Sequence, residues 1–228
     1  MKLFLLLYSS FLFAEITKEQ IHIITQNGHH PLNYQEAREI LFGKIFLKSD
    51  NKGYFIRDIY CNKEFRDDSG VGLDLIPNPK VLNIEHSWPK KYFSKRYPFK
   101  TQESDLFHLY PTDTTANSFR GHLEFQEVIN SEPIPDCDLS KRGPDQFNHF
   151  GFEPPDNIKG DLARSLFYFS VRYEISIPDN EEQILRKWNQ EDPIDLEEKI
   201  KNNLIMKAQG NRNPFIDQED LVSQIKDF

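Results

Sequence analysis

A glutamate and a histidine stand side by side at Glu85-His86, within the run Asn83-Ile84-Glu85-His86-Ser87-Trp88-Pro89. On a regular strand, neighbouring side chains point to opposite faces. If both are to serve one site, the backbone there must be a strand end, a bulge or a sharp twist, features that recur beside active sites. Pro89 cannot donate to a ladder and agrees with a strand that stops there. A second constraint comes from Asp105-Leu106-Phe107-His108-Leu109-Tyr110-Pro111. A short strand is expected around 106–110, with Pro111 in the first turn of a helix that continues through 112–119. Asn117 and Arg120 then stand three residues apart on one helix face. The expected local order is strand, connection, short strand, helix.

These residue types converge on one chemistry. Magnesium prefers oxygen ligands, keeps several waters and often takes only one or two protein groups; Glu85 and Asn117 suit it. His86, neutral near pH 7, is placed to take a proton from an attacking water. Arg120 fits either a phosphate, gripped bidentately, or a neighbouring carboxylate, with equal weight. His108, with Asp105 nearby, reads as a supporting group that orients others rather than reacting. Together they point to metal-assisted phosphodiester cleavage. Taken singly, the Glu-His pair reads as a solvated strand edge and Asn117 as a helix-surface amide.

The motifs in this order resemble the endonuclease I family, secreted or periplasmic bacterial nucleases with a ββα-metal (His-Me finger) site. The resemblance runs from Glu85-His86-Ser87-Trp88-Pro89 and Asp105-Leu106-x-His108-Leu109-x-Pro111 to Phe152-Glu153-Pro154-Pro155 and Lys159-Gly160-Asp161-Leu162-Ala163-Arg164. It continues through Trp188-Asn189-Gln190-Glu191-Asp192-Pro193 and Gln209-Gly210-Asn211-Arg212-Asn213-Pro214-Phe215-Ile216-Asp217. It implies His86 as general base, with Glu85 and Asn117 holding one Mg²⁺ that other divalent cations could replace. The implied substrate is DNA, often RNA too, cut with little sequence preference to leave 5′-phosphate ends. The implied fold class is α+β: a mainly helical single domain built around a ββα-metal motif with a small antiparallel sheet.

Charge is the main objection to a nucleic-acid partner. The formal net charge is −8, and nonspecific affinity comes mostly from Lys and Arg neutralising phosphates. What counts is the field at the groove. Lys90, Lys91, Lys95, Arg96 and Lys100 follow the Glu-His pair directly, interleaved with Tyr92, Phe93, Tyr97 and Phe99. Lys90 and Lys91 are therefore expected, with Arg120, as phosphate contacts, and the aromatics as core cover rather than base-stacking platforms. At the N-terminus, Lys2 precedes an apolar run over 3–13 that ends at Ala14. Too short to span a bilayer, residues 1–14 read as a signal peptide. Its removal takes away Lys2 and moves the charge from −8 to −9. The expectation is a periplasmic or secreted protein with one nuclease domain over 15–228, monomeric and without a membrane span. Cys61 and Cys137 would form one disulfide in an oxidising compartment or remain two buried thiols, and neither has zinc-ligand spacing.

The rest of the chain reads coarsely. A helix is expected over 33–47 and a strand over 54–61 after the turn Asn51-Lys52-Gly53. Segments 62–80 and 131–158 are rich in Pro, Gly, Asp and Asn and read as loops. The clearest helix is 161–174, with Leu162, Leu166, Phe169 and Tyr173 on one stripe and Arg164 beside it in a structural ion pair. A short helix follows at 183–188, and Pro193 opens another carrying Leu196, Ile200 and Leu204. Gly28-His29-His30-Pro31 reads as an exposed turn, and 209–217 as a closing loop whose side chains satisfy backbone groups. Two rival functions stand beside the nuclease: a nucleic-acid-binding protein without turnover, and an exported phosphodiesterase acting on small nucleotides or lipids.

Overall fold

Helix starts are written into the chain by short polar side chains. The computed structural model describes residues 16–228; the expected signal peptide, 1–14, lies outside the described residues. Helices α1 (Lys18–Gln26) and α2 (Tyr34–Ile40) both open with a capping box. Thr17 and Asn33 accept from the N–H groups of Gln20 and Glu36, whose side chains accept in return. The helix expected over 33–47 continues past α2 as a π-helical turn, Leu41–Ile45.

Three small antiparallel sheets follow. Strands β1 (Lys48–Asp50), β2 (Gly53–Arg57) and β3 (Glu64–Phe65) form the first. Strand β4 (Leu82–His86) pairs with β5 (Leu109–Asp113) across the short helix α3 (Phe99–Glu103) and a 3₁₀ turn, Leu106–His108. Helix α4 (Thr114–Arg120) continues directly from β5. Strands β6 (Lys141–Pro144) and β7 (Phe150–Glu153) pair inside the segment expected to be loop. Side chains too supply order there: Gln126 Nε2 donates to the carbonyls of Gly143 at 3.0 Å and His149 at 2.7 Å.

Pro111 lies inside β5 rather than opening the helix. It sits opposite Ile84, and its carbonyl points away from β4 to accept the Ile59 N–H at 3.1 Å. In an antiparallel ladder a residue's N–H and C=O face the same side, so the missing donor falls where β4 needs none. The helix starts instead at Asp113, whose Oδ1 accepts from the N–H groups of Thr115 and Ala116 at 2.8 and 3.0 Å.

The remaining helices are α5 (Lys159–Tyr173), α6 (Asp179–Glu191), α7 (Leu196–Gln209), α8 (Pro214–Asp217) and α9 (Leu221–Gln224). One core cluster reaches from Ile21 on α1 to the terminal Phe228. Its axis is α5, in which every residue except Asp161 is buried. An all-round buried helix is expected to be apolar all round. Here most polar positions find partners instead, as buried polar groups usually do, the Ser170 hydroxyl being an exception among the described residues. Arg164 donates to Glu198 at 2.7 Å, the structural ion pair expected of it, and Ser165 donates to the Phe107 carbonyl at 2.8 Å. Gly160 opens the helix against Asp192: a Cβ there would lie 2.0 Å from the Asp192 carbonyl oxygen.

Asp105 is the hub beneath the sheet. Its Oδ1 accepts from the Phe107 N–H and Gln209 Nε2, at 3.1 and 2.9 Å. Its Oδ2 accepts from the Tyr168 and Tyr173 hydroxyls, at 3.0 and 2.8 Å. The closing loop behaves as expected, with Asn211 and Asn213 donating to the carbonyls of Thr25 and Arg164. Cys61 and Cys137, 76 residues apart, are joined in a disulfide. His29 is less exposed than a free turn residue, because its Nδ1 accepts from Arg172 at 2.8 Å.

Candidate active site

The ladder between β4 and β5 is regular from Leu82 opposite Asp113 to His86 opposite Leu109, without a bulge. His86 is the last residue of β4, so the strand end, among the three expected geometries, is the one the chain uses. Glu85, His86, Asn117, Lys90, Lys91 and Tyr34 line one open cavity of about 390 Å³. Asn117 enters from α4, fixed relative to the strand because Asp113 both ends β5 and caps the helix.

Glu85 is 2 % exposed. Its Oε1 accepts from the Tyr60 hydroxyl at 2.8 Å and faces Arg120 Nη1 at 2.8 Å. Its Oε2 has no hydrogen bond among the described residues. Burial pushes the carboxyl pKa up, against the pull of Arg120 and the Tyr60 hydrogen bond. A cation at Oε2 would work with Arg120 to restore the charged form.

His86 Nε2 lies 3.1 Å from the carbonyl oxygen of Glu103. A carbonyl only accepts, so Nε2 carries the proton and the neutral ring keeps a lone pair at Nδ1. Tyr34 stacks on the imidazole with centroids 5.8 Å apart. Burial first, then the neighbouring His108 and Lys90, holds its pKa well below 6.5. The ring is therefore neutral at pH 7, the state a base requires.

Asn117 Nδ2 donates to Asn83 Oδ1 at 2.8 Å and to the Ile84 carbonyl at 3.2 Å. With its nitrogen spoken for, Oδ1 makes no hydrogen bond among the described residues. A carboxylate oxygen and an amide oxygen without partners on one cavity make a donor set for a hard cation that retains most of its waters. Among the described residues no group of three or more His, Cys, Asp or Glu is placed to hold a metal ion.

Arg120 corrects an expectation. It is 1 % exposed and turned inward, with Nη1 and Nη2 donating to the carbonyls of His86 and Ser87 at 3.1 and 2.6 Å. The guanidinium also lies over the Phe125 ring at 4.6 Å. Its work is to pair Glu85 and fix the end of β4, which leaves no group for a phosphate. Lys90 and Lys91 remain exposed on the rim, at 3.4 Å from Glu103 Oε1 and 3.3 Å from His122 Nε2 respectively. His108 is fully buried behind His86, ring centroids 5.2 Å apart, with Nε2 2.7 Å from the Gln102 carbonyl. Asp105 lies beneath the sheet, bound by its four donors. Of the interleaved aromatics, Phe93 and Tyr97 pack against the core as expected, whereas Tyr92 and Phe99 are exposed.

Sequence reasoning passed over Tyr60, Asn83, Tyr34, His122 and the carbonyl of Glu103. Only Asn83 carried a signal: two residues before Glu85, it shares that side of the strand. The others arrive through tertiary packing.

The family model described as Endonuclease I matches residues 14–220 of the chain. An extracellular ribonuclease of Bacillus subtilis (strain 168) is 34% identical over 229 residues, covering 91% of this chain and 73% of that protein. An extracellular deoxyribonuclease of Aeromonas hydrophila is 27% identical over 133 residues, 57% of this chain and 56% of that protein. A periplasmic deoxyribonuclease of the same organism is 27% identical over 133 residues, 57% of this chain and 54% of its own length. The chain thus spans little more than half of either deoxyribonuclease. No helix among the described residues is long and apolar enough to cross a membrane. The chain belongs to the endonuclease I family: it is an endonuclease, of the extracellular or periplasmic kind.

Proposed function

We propose that this endonuclease is metal-dependent and largely indifferent to sequence, hydrolysing phosphodiester bonds of DNA and of RNA to 5′-phosphate ends. Residues 15–228 act as one nuclease domain, monomeric, once 1–14 are removed. The observation that carries the reading is the shared cavity lined by Glu85, His86 and Asn117, in which Glu85 Oε2 and Asn117 Oδ1 make no hydrogen bond among the described residues. The order β4, β5, α4 supports taking them as a ββα-metal site.

Magnesium held by Glu85 and Asn117 would supply Lewis-acid stabilisation of charge on the phosphate and on the departing 3′ oxygen. The remaining work falls to the chain. His86 takes the proton of the attacking water at Nδ1, its tautomer set by the Glu103 carbonyl and its plane by Tyr34. Arg120 holds Glu85 and the His86 carbonyl together, so that acid and base keep one geometry. Lys90 and Lys91 draw the phosphate chain to the rim despite the acidic balance of the whole protein. The names of the relatives, a ribonuclease in Bacillus and deoxyribonucleases in Aeromonas, support a site tolerant of either sugar. Plasmid nicking with magnesium, abolished by chelator and by His86→Ala, is the expected result. Nicking that survives His86→Ala would remove His86 from the role of base, and chelator-resistant nicking would remove the metal.

A further inference from the structure

A second cavity, of about 380 Å³, backs directly onto the catalytic one. The two share Pro89 and His122 as walls, and Arg120, whose guanidinium pairs with Glu85, lines the second. Its size falls in the range of roughly 300–1,000 Å³ usual for small-molecule sites. Trp88, Tyr92, Phe93, Leu123 and Leu166 are among the residues that line it. The aromatic wall is fixed in advance: Trp88 Nε1 donates to the Tyr92 carbonyl at 3.1 Å, and Trp88 stacks on Phe169 with centroids 5.2 Å apart. Tyr92 stands exposed at the mouth.

The polar groups of this cavity tell against a phosphate. Its carboxylates are Glu124 and Glu181, and the charge of Arg120 is already matched by Glu85. The lysines Lys90 and Lys91 line the neighbouring cavity instead. What remains suits a flat, uncharged ring with polar edges. Glu181 gives one oxygen to the Phe125 N–H at 2.8 Å and makes no hydrogen bond with the other among the described residues. An acceptor and aromatic faces, one wall away from the proposed base, are recognition elements of a nucleobase.

We propose that this cavity takes the base of a nucleotide flanking the scissile phosphate, unstacked from its neighbours, so that the enzyme prefers single strands to duplex. The inference rests on the nuclease reading above and adds a substrate subsite to it. A base inside a duplex cannot enter without leaving the stack, whereas a base in a single strand pays little to turn in.

The test uses the full chain with magnesium and single-stranded oligonucleotides in which one cleavable phosphodiester lies among nuclease-resistant methylphosphonate linkages. Each nucleotide flanking that bond is made abasic in turn. For the wild type, one of the two abasic substrates should show a KM raised about tenfold, the scale of one lost base–aromatic stack. Ser176→Trp changes an exposed residue on the cavity wall and fills the space. It should reduce that penalty to less than twofold while leaving duplex plasmid nicking unchanged. Tyr92→Ala should raise KM only for the intact single strand. Equal KM values for intact and abasic substrates in the wild type would overturn the subsite, as would a Ser176→Trp enzyme slowed alike on every substrate. Absence of cleavage of any substrate, plasmid included, would instead overturn the nuclease reading itself.

Discussion

Two buried acids, Glu85 and Asp105, flank the same short sheet and do opposite jobs. Both are almost fully withdrawn from water, at 2 % and 1 % exposure. Asp105 receives four hydrogen bonds, two on each oxygen. Although burial pushes the other way, its pKa is held below the ordinary value by the pull of His29, His108 and Arg172 and then by the Gln209 hydrogen bond. Glu85 receives its partners on one oxygen, and its pKa is raised. The difference is one of donors supplied. A carboxylate given every donor it can use is finished, and it fixes the structure around it. A carboxylate left with a free oxygen on a cavity is available to something that is not protein.

The comparison can be broken in order of expected effect. The largest is at the base: His86→Ala should lower magnesium-dependent cleavage by ~10²–10⁴-fold while the melting midpoint changes little. A comparable loss of folding would place His86 with the structural group. Next comes Asp105→Asn, which sets an amide NH₂ among donors and should cost on the order of 3 kcal/mol in urea unfolding. The folded fraction should keep its activity. If Asp105→Asn left stability intact and abolished turnover, the contrast would be reversed.

Acid should separate the two sides further. His108, between them, has its pKa pushed down to about 4 by burial. A folded-state pKa below the unfolded value of about 6.5 means its contribution is fully present above pH 6.5. It is lost as pH falls toward 4, a total of about 3 kcal/mol. Urea midpoints measured across this window should decline, and a flat profile would show that His108 finds a partner when charged. The smallest effect is on the open side. Glu85→Gln should weaken magnesium binding, read by calorimetry, by at least the ~10–100-fold typical of losing a group outside the metal's own ligands. Unchanged affinity would remove Glu85 from the cation site.

What the sequence disclosed follows the same division. The strand end at His86, one of three geometries the Glu-His pair allowed, and the stripe of α5 were legible because local period and spacing carry them. That residues 85, 86 and 117 share a cavity was an expectation of the ordered motifs together, not of any one of them. Pairings between distant residues were not. Arg120 was open between a phosphate and a carboxylate, and only the approach of α4 to β4 decides for Glu85. Polar residues such as Arg164 and Ser165 disguised the full burial of α5, because their partners lie 34 and 58 residues away. Strands β6 and β7 hid in a stretch whose Gly and Pro content announces turns, their order completed by Gln126 from outside it. The acids Asp179, Glu181 and Glu182 did mark the true start of α6, four residues before the apolar pattern.

The group that aligns His86 is the main-chain oxygen of residue 103. No amino-acid replacement deletes a carbonyl. Substitutions at position 103 should therefore be tolerated in a saturation screen, and the position would score as dispensable although the alignment of the proposed base depends on it. Loss of that alignment requires a backbone lesion, such as a deletion within α3 or a proline that moves the peptide plane. The proposed base is thereby insulated from the commonest kind of genetic error.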